Sequence, residues 1–237
     1  MHATSRTITT NQLGPHKDLA RRVERALRHP LRKPVAAHTR EAFANCLSWR
    51  ARQDANGARP LILDAGCGVG LSTRRLAERY PDHAVIGVDR SAARLSRDHG
   101  AIADNALLVR ADLVDFWRLA LEAGWQPARH YLLYPNPYPK SARLKLRWHG
   151  HPVFPVLLAL GGRLELRSNW RLYLEEFALA LAQATGVTAT VEPHAPGTNC
   201  LTPFETKYHG SGQSLWRLVA TLPHAPDLVP AATEGEA

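Results

Sequence analysis

Short apolar runs and longer amphipathic segments alternate through the middle of the chain. Runs at 61–64, 84–89, 106–110, 130–134 and 163–168 have strand length and strand composition. Between them, 71–80, 92–99, 113–124 and a stretch around 154–160 carry helical spacing. Such alternation predicts a parallel sheet with helices on both faces. A long helix over 170–186 follows, and 187–192 and 214–222 read as closing strands paired antiparallel, which makes a mostly parallel, seven-stranded α/β sheet. Ahead of the first strand, a basic helix over 16–29 is stopped by Pro30 and Pro34. A second helix over 36–52 places Phe43, Leu47 and Arg50 along one side, and 53–59 is a polar link. Residues 1–15 read as loosely packed, and the tail from Pro223, rich in Ala, Pro and acids, as frayed. The organisation expected is an N-terminal extension over 1–55, one domain over 56–222 and a disordered tail over 223–237.

Candidate chemistry concentrates where the strands end. The first run closes on Asp64 and passes into Ala65-Gly66-Cys67-Gly68-Val69-Gly70, and the second closes on Asp89. Strand, glycine turn, helix, strand and acid is the order in which a doubly wound sheet presents a nucleoside cofactor. Gly66, Gly68 and Gly70 allow torsions and a close approach that a Cβ would block. Asp89 is placed to accept hydrogen bonds from both hydroxyls of a ribose. Asp64 puts a carboxylate in the turn itself, unfavourable beside a pyrophosphate and favourable beside the ammonium of a methionyl group, so the pattern points to S-adenosylmethionine and away from NAD. The third strand runs into Asp112, which is suited to accept from an adenine N6 amine and also to cap the helix starting at Leu113. The fourth runs into Tyr134-Pro135-Asn136-Pro137-Tyr138-Pro139-Lys140, where prolines at alternate positions predict a stiff, extended loop presenting Asn136 and Tyr138 to an acceptor.

Charge narrows the partner. The net charge of +9 suits a polyanion. Residues 16–40 hold Lys17, Arg21, Arg22, Arg25, Arg28, Arg32, Lys33 and Arg40 against Asp18 and Glu24. A second cluster, Lys140, Arg143, Lys145, Arg147, His149 and His151, contains no acid and adjoins the proline loop. Contacts from Arg143, Lys145 and Arg147 to phosphates are expected. Cys46, Cys67 and Cys200 are too few and too scattered for a disulfide framework, and His194, Cys200 and His209 match no standard zinc spacing, so no metal is expected. The absence of a signal-like start or a span-length apolar run reads as cytoplasmic, with no membrane contact.

With these motifs assembled, the chain resembles the bacterial tRNA (guanine-N7)-methyltransferases, class I methyltransferases with a Rossmann-like fold. Their Pro-Asp-Pro-Trp-x-Lys loop is matched by Pro135 to Lys140, and their Gly-Gly turn and Thr-Asp-Trp by Gly161-Gly162 and Ser168-Asn169-Trp170. Their Thr-x-Phe-Glu is matched by Thr202-Pro203-Phe204-Glu205, with Lys207 close behind. The resemblance implies tRNA as partner, guanine N7 of the variable loop as acceptor, and Thr202 and Glu205 in contact with the base. Tyr138, Lys140 and Lys207 complete the substrate-binding set that it implies. Asn136 and Asn169 stand where the family has aspartates. They are the catalytic candidates and also the departure that leaves the acceptor open. An exocyclic-amine methyltransferase acting on another nucleic acid or a small molecule is the second reading, and a non-catalytic tRNA-binding paralogue the third. Monomer and homodimer are not distinguished.

Overall fold

The computed structural model describes residues 5–53 and 59–231. Two helices, α1 (Leu19–Arg28) and α2 (Ala37–Gln53), precede β1 (Leu61–Ala65). There follow α3 (Leu71–Arg79), β2 (Ala84–Asp89), α4 (Ala92–Leu95), β3 (Ala106–Arg110), α5 (Leu113–Glu122) and β4 (Arg129–Leu133). Next come α6 (Phe154–Ala159), β5 (Gly162–Ser168), α7 (Arg171–Thr185), β6 (Val191–Pro193), α8 (Pro203–Gly210) and β7 (Trp216–Leu222). The seven strands lie in the order β3-β2-β1-β4-β5-β7-β6, parallel through β5, with β7 antiparallel to both its neighbours. This is the architecture that the alternating pattern predicts. Strand order reverses between β1 and β4, and an open sheet of this kind binds ligands there, beyond the carboxyl ends of its strands.

Successive strand residues face opposite sides of the sheet and build two cores. Leu61, Leu63, Ile86, Val88, Leu132, Leu164 and Leu166 belong to the larger, with the buried faces of α1, α2, α5, α6 and α7. Ile62, Val85, Tyr131 and Leu133 form the smaller with Leu76 and Ala77 of α3. In the larger core Trp117 Nε1 donates to His130 Nε2 at 3.2 Å, and burial pushes that imidazole down to about 3, so it is neutral. Helix α1 buries Leu19, Val23 and Ala26 and lies against α7. Helix α2 buries Thr39, Phe43 and Cys46 against α5, where Phe43 meets the Phe116 ring edge-on at 5.2 Å. Leu47, expected on that stripe, is turned outward. Buried Asp115 of α5 accepts from Ala36 N at 3.0 Å and Lys33 Nζ at 3.4 Å, which pins the link between the two N-terminal helices.

Several local expectations change. The helix expected over 92–99 ends at Leu95, and the Asp98 carboxylate takes Gly100 N into a turn instead. The edge strand contracts to Val191–Pro193, where Pro193 cannot donate to a ladder. Helix α8 was not apparent in the pattern, and the basic stretch after the proline loop folds into two 3-10 turns, Ser141–Leu146 and Trp148–Gly150. Residues 5–15 are not loose but form a strap tied down by side chains far along the chain: Ser5 N to Ser211 Oγ, Thr10 Oγ1 to Pro139 O, and Gln12 Nε2 to Glu176. Over 223–231 the tail is packed as well, with Ala225 N bonded to Ala159 O and Leu228 and Val229 against the larger core. Residues 1–4, 54–58 of the polar link and 232–237 of the tail lie outside the described residues.

The turn into β5 has no room for a side chain. Gly162 has φ +79°, and a Cβ there would sit 1.8 Å from Pro127 O. Gly162→Ala should cost about 3 kcal/mol or more, because backbone has to move and the torsion is strained as well. A urea midpoint equal to that of the unaltered protein would contradict this account of the turn.

Candidate active site

The glycine turn after β1 is held by its own backbone. Gly66 N and Cys67 N both bond to Val88 O, at 2.8 and 3.1 Å, which fastens the turn to the end of β2. Gly66, Gly68 and Gly70 have φ of +83°, +61° and +78°. A Cβ on Gly68 would meet nothing within 4 Å, so the turn presents a floor of bare backbone to open space at that position, whereas one on Gly70 would strike the Leu108 side chain at 2.6 Å. Burial pushes the Cys67 thiol well up, consistent with a small spacer and not a nucleophile.

Three carboxylates surround this floor, each committed to a different task. Asp64 is 1% exposed, and its Oδ2 accepts from Ser72 Oγ at 2.6 Å and Thr73 Oγ1 at 2.7 Å. Burial raises its pKa to about 6 against the opposing effect of those two hydroxyls. The expected partner of Asp64 was an ammonium, but in this structure the first turn of α3 takes one of its oxygens. Asp89 receives Ser91 N on Oδ1 at 2.8 Å and Gly68 N on Oδ2 at 3.0 Å, so the acid and the glycine turn hold each other. Arg94 Nη1 also reaches Oδ2, at 3.2 Å. Asp112 caps α5 through Val114 N at 2.9 Å and stays partly exposed, as both of its expected uses require. Gly66, Gly68, Gly70, Asp64, Asp89 and Asp112 thus stand together at the carboxyl ends of β1, β2 and β3, and bare turn, buried acid and capping acid have a chemistry that fits an adenosine and a methionyl group.

The proline loop departs from the extended form expected of it. Tyr134 and Tyr138 have φ of +53° and +44°, although each precedes a proline. Long-range bonds impose this. Tyr134 N bonds to Arg167 O at 2.8 Å and its hydroxyl to Glu205 Oε1 at 2.9 Å, while Arg147 donates to Tyr138 O through Nε and Nη2 at 3.2 and 3.1 Å. Asn136 at the tip is exposed, and its Oδ1 accepts from Tyr138 N at 3.4 Å. Asn169, at the end of the adjacent parallel strand β5, donates its Nδ2 to Gln213 Oε1 at 2.8 Å. Lys140, Arg143, Lys145 and Lys207 are exposed.

Three expected substrate contacts are corrected. Arg147, read as a phosphate ligand, is 0% exposed. Its Nη1 meets Glu176 Oε2 at 2.5 Å, its Nη2 reaches Gln12 Oε1 at 3.1 Å, and its guanidinium lies over the Trp170 ring at 4.8 Å. Glu176 also accepts from His16 N at 2.9 Å and from His149 Nε2 at 2.9 Å. Burial alone would raise the Glu176 carboxyl; the hydrogen bond from His149 and the Arg147 charge overcome it and hold the group at about 2. Glu205, read as a base contact, is likewise 0% exposed and saturated by Tyr134, Arg167 Nη1 at 2.9 Å, His194 Nε2 at 3.1 Å and Leu201 N at 2.5 Å. Thr202 is buried, and its hydroxyl caps α8 through Glu205 N at 3.0 Å. Thr-x-x-Glu at a helix start is a capping signal, and the sequence carried it. Glu176, which organises the strap and the loop, was missed because a glutamate within a helical pattern gives no sign of burial.

Residues 58–218 match a family model described as a putative methyltransferase. Among curated proteins, the tRNA (guanine-N(7)-)-methyltransferase of Leifsonia xyli subsp. xyli (strain CTCB07) is 30% identical over 171 residues, which cover 67% of this chain and 74% of that protein. The enzyme of the same name from Neisseria gonorrhoeae (strain NCCP11945) is 26% identical, over 68% of this chain and 71% of its own. Among solved structures, the 16S rRNA methyltransferase KamB superposes with a TM-score of 0.53 at 16% identity, covering 81% of this chain and 96% of that one. The 16S rRNA (adenine(1408)-N(1))-methyltransferase from Catenulisporales acidiphilia gives 0.52 at 20%, covering 75% and 93%. At these identities the structural likeness bears on the fold.

The buried carboxylates have opposite pH signatures. Burial raises Asp64 from 3.8 to about 6, so the folded state holds that proton more tightly, and its share of stability falls as pH rises from about 4 to about 6. Glu176 and Glu205 are lowered from 4.5 to about 2, so what they contribute is complete above pH 4.5 and is lost as pH falls toward 2. The melting temperature of Asp64→Asn should therefore gain on the unaltered protein between pH 4 and 6 and run parallel to it below; parallel curves throughout would refute the assignment. Arg147→Ala, which strands the Glu176 charge, should cost about 3–5 kcal/mol in a denaturant titration.

Proposed function

We propose, from the premise that this chain belongs to the tRNA (guanine-N7)-methyltransferase family of S-adenosylmethionine-dependent methyltransferases, that its acceptor is guanine N7 in the variable loop of tRNA. The observation that carries the reading is the direction in which the proline loop spends its hydrogen bonds. Methylation of an exocyclic amine calls for acceptors that hold the amine hydrogens. Here three acceptors of that loop are engaged inward: Asn136 Oδ1 by Tyr138 N, Tyr138 O by Arg147, and Pro139 O by Thr10. Among the described residues Asn136 Nδ2 makes no hydrogen bond, so the tip of the loop offers a donor. Guanine O6, beside N7, is an acceptor that fits it. Asn169 complements this, because its Nδ2 is held by Gln213 and its Oδ1 stays available to the donors on the Watson–Crick edge.

Guanine N7 has an exposed lone pair and no proton, so this chemistry requires no general base. When bound, S-adenosylmethionine supplies an electrophilic methyl group on a sulfonium. The chain then has to align a nucleophile with it, and good alignment is worth up to about 7–11 kcal/mol. Asn136 orients the base from a loop whose two tyrosines are locked by Arg147, Glu205 and Arg167. Asp89 and the glycine turn fix the opposite side of the reaction centre. Lys140, Arg143, Lys145 and Lys207 are left to meet phosphates from the surface.

The test is methyl incorporation from labelled S-adenosylmethionine into tRNA from a strain without its own N7 enzyme, followed by nucleoside analysis. N7-methylguanosine is expected; a label found only on N2 or N6 of a base would overturn the proposal. Asn136→Ala should keep cofactor affinity within about twofold and lose tenfold or more in turnover, a loss of the size expected for a hydrogen bond made to the reacting base. Asp89→Asn should weaken cofactor binding about tenfold or more in calorimetry, because it disturbs Gly68 as well.

A further inference from the structure

Helix α1 needs only Leu19, Val23 and Ala26 to pack. Its other face is strongly basic and borders a cleft of ≈ 520 Å³ whose lining includes Arg21, Arg22, Arg25 and His29, with apolar wall from Leu31 and Pro152. Arg21 and Arg25 are spaced by four residues and Arg22 and Arg25 by three, so on one helix face their like charges repel. Little nearby relieves them. Arg21 pairs with Asp18 in an exposed contact and Arg28 with Glu24, whereas Arg22 and Arg25 have no carboxylate partner among the described residues. Among the described residues no acidic side chain lines the cleft. The helix dipole favours Arg25 near the C-terminal end but not Arg21 or Arg22 in the first turns.

The opposite wall places the cleft on the site's end of the molecule. Gly150 closes the 3-10 turn Trp148–Gly150, which continues directly from the loop after β4, and Pro152 stands just before α6. One stretch of chain therefore joins exposed Lys140, Arg143 and Lys145 to the cleft wall. Arg147 of the same stretch has gone into the interior.

We infer that this cleft is a second phosphate-binding surface, gripping the sugar-phosphate backbone of the substrate RNA at a distance from the methylated base. Arg22 and Arg25 are its principal contacts, forks suited to paired phosphate oxygens, with Arg21 and His29 at the margin. The inference rests on the reading that the substrate is an RNA. It assigns the N-terminal extension a substrate contact in addition to its role in covering the sheet.

The test compares the full chain with Arg22→Glu/Arg25→Glu in binding to an unmodified tRNA transcript, from about 50 to about 200 mM salt. Arg52→Glu/Arg79→Glu, with the same charge change at the amino end of the sheet, is the control for net charge. The cleft variant should lose at least tenfold in affinity at low salt, and its log–log salt slope should be shallower by about 1–2, with S-adenosylmethionine affinity unchanged. Arg22→Gln/Arg25→Gln, which adds no negative charge, should shift in the same direction by less, and it excludes misfolding as the cause. If the cleft variant binds as the control does, the cleft is not a contact surface, while RNA as substrate stands. If the unaltered protein binds no tRNA at any salt, this inference and the proposed acceptor fall together.

Discussion

A carboxylate sealed from solvent must be met by donors, and Glu176 collects its donors from separate parts of the chain. Gln12 comes from the strap and His16 from just beyond it, Arg147 from the end of the basic stretch and His149 from the turn that follows. Removing one partner of such an arrangement leaves a charge that the interior cannot solvate, so all of them persist together. Arg147 carries the constraint onward by holding Tyr138 O, which keeps a non-glycine residue at positive φ. The shape of the proline loop is therefore set from α7 and from residues near the N-terminus, none of which adjoins it in sequence.

A second network does the same from the other face of the sheet. Glu205 joins Tyr134 at the start of the loop to Arg167 on β5, His194 beyond β6 and the start of α8. The loop is thus clamped at both of its strained tyrosines by buried charges, and the prolines between them limit what remains free. What the clamping leaves outward is the amide of Asn136. Rigidity of this kind suits a reaction whose catalysis is largely alignment.

The glycine turn is built differently, from backbone. Gly66, Cys67 and Gly68 spend their N–H groups on Val88 O and Asp89, so the turn and the end of β2 form one rigid unit, open above Gly68. Local order is enough for this, since everything involved lies within one strand–turn–helix–strand unit. The positive charge is divided between the two modes. Some cations, Arg147 and Arg167 among them, are internal and structural; others, such as Lys140, Arg143, Lys145, Arg22 and Arg25, face outward.

By itself the sequence determined the sheet, because period-2 and helical patterns alternate with few exceptions. It also determined the glycine turn, because Gly66, Gly68 and Gly70 answer a torsional demand that short-range sequence states directly. Asp89 and Asp112 were legible as strand-end acids for the same reason. Long-range pairing decided the rest. Arg147 and Glu205 are of residue types that usually face water, and nothing in their neighbours says which buried charge each will meet. The strap looked loose because its few anchors, Ser5, Thr10 and Gln12, bond to partners more than a hundred residues away. Local pattern records what a residue needs from its neighbours, whereas a buried ion pair is settled only when the fold brings both charges to one place.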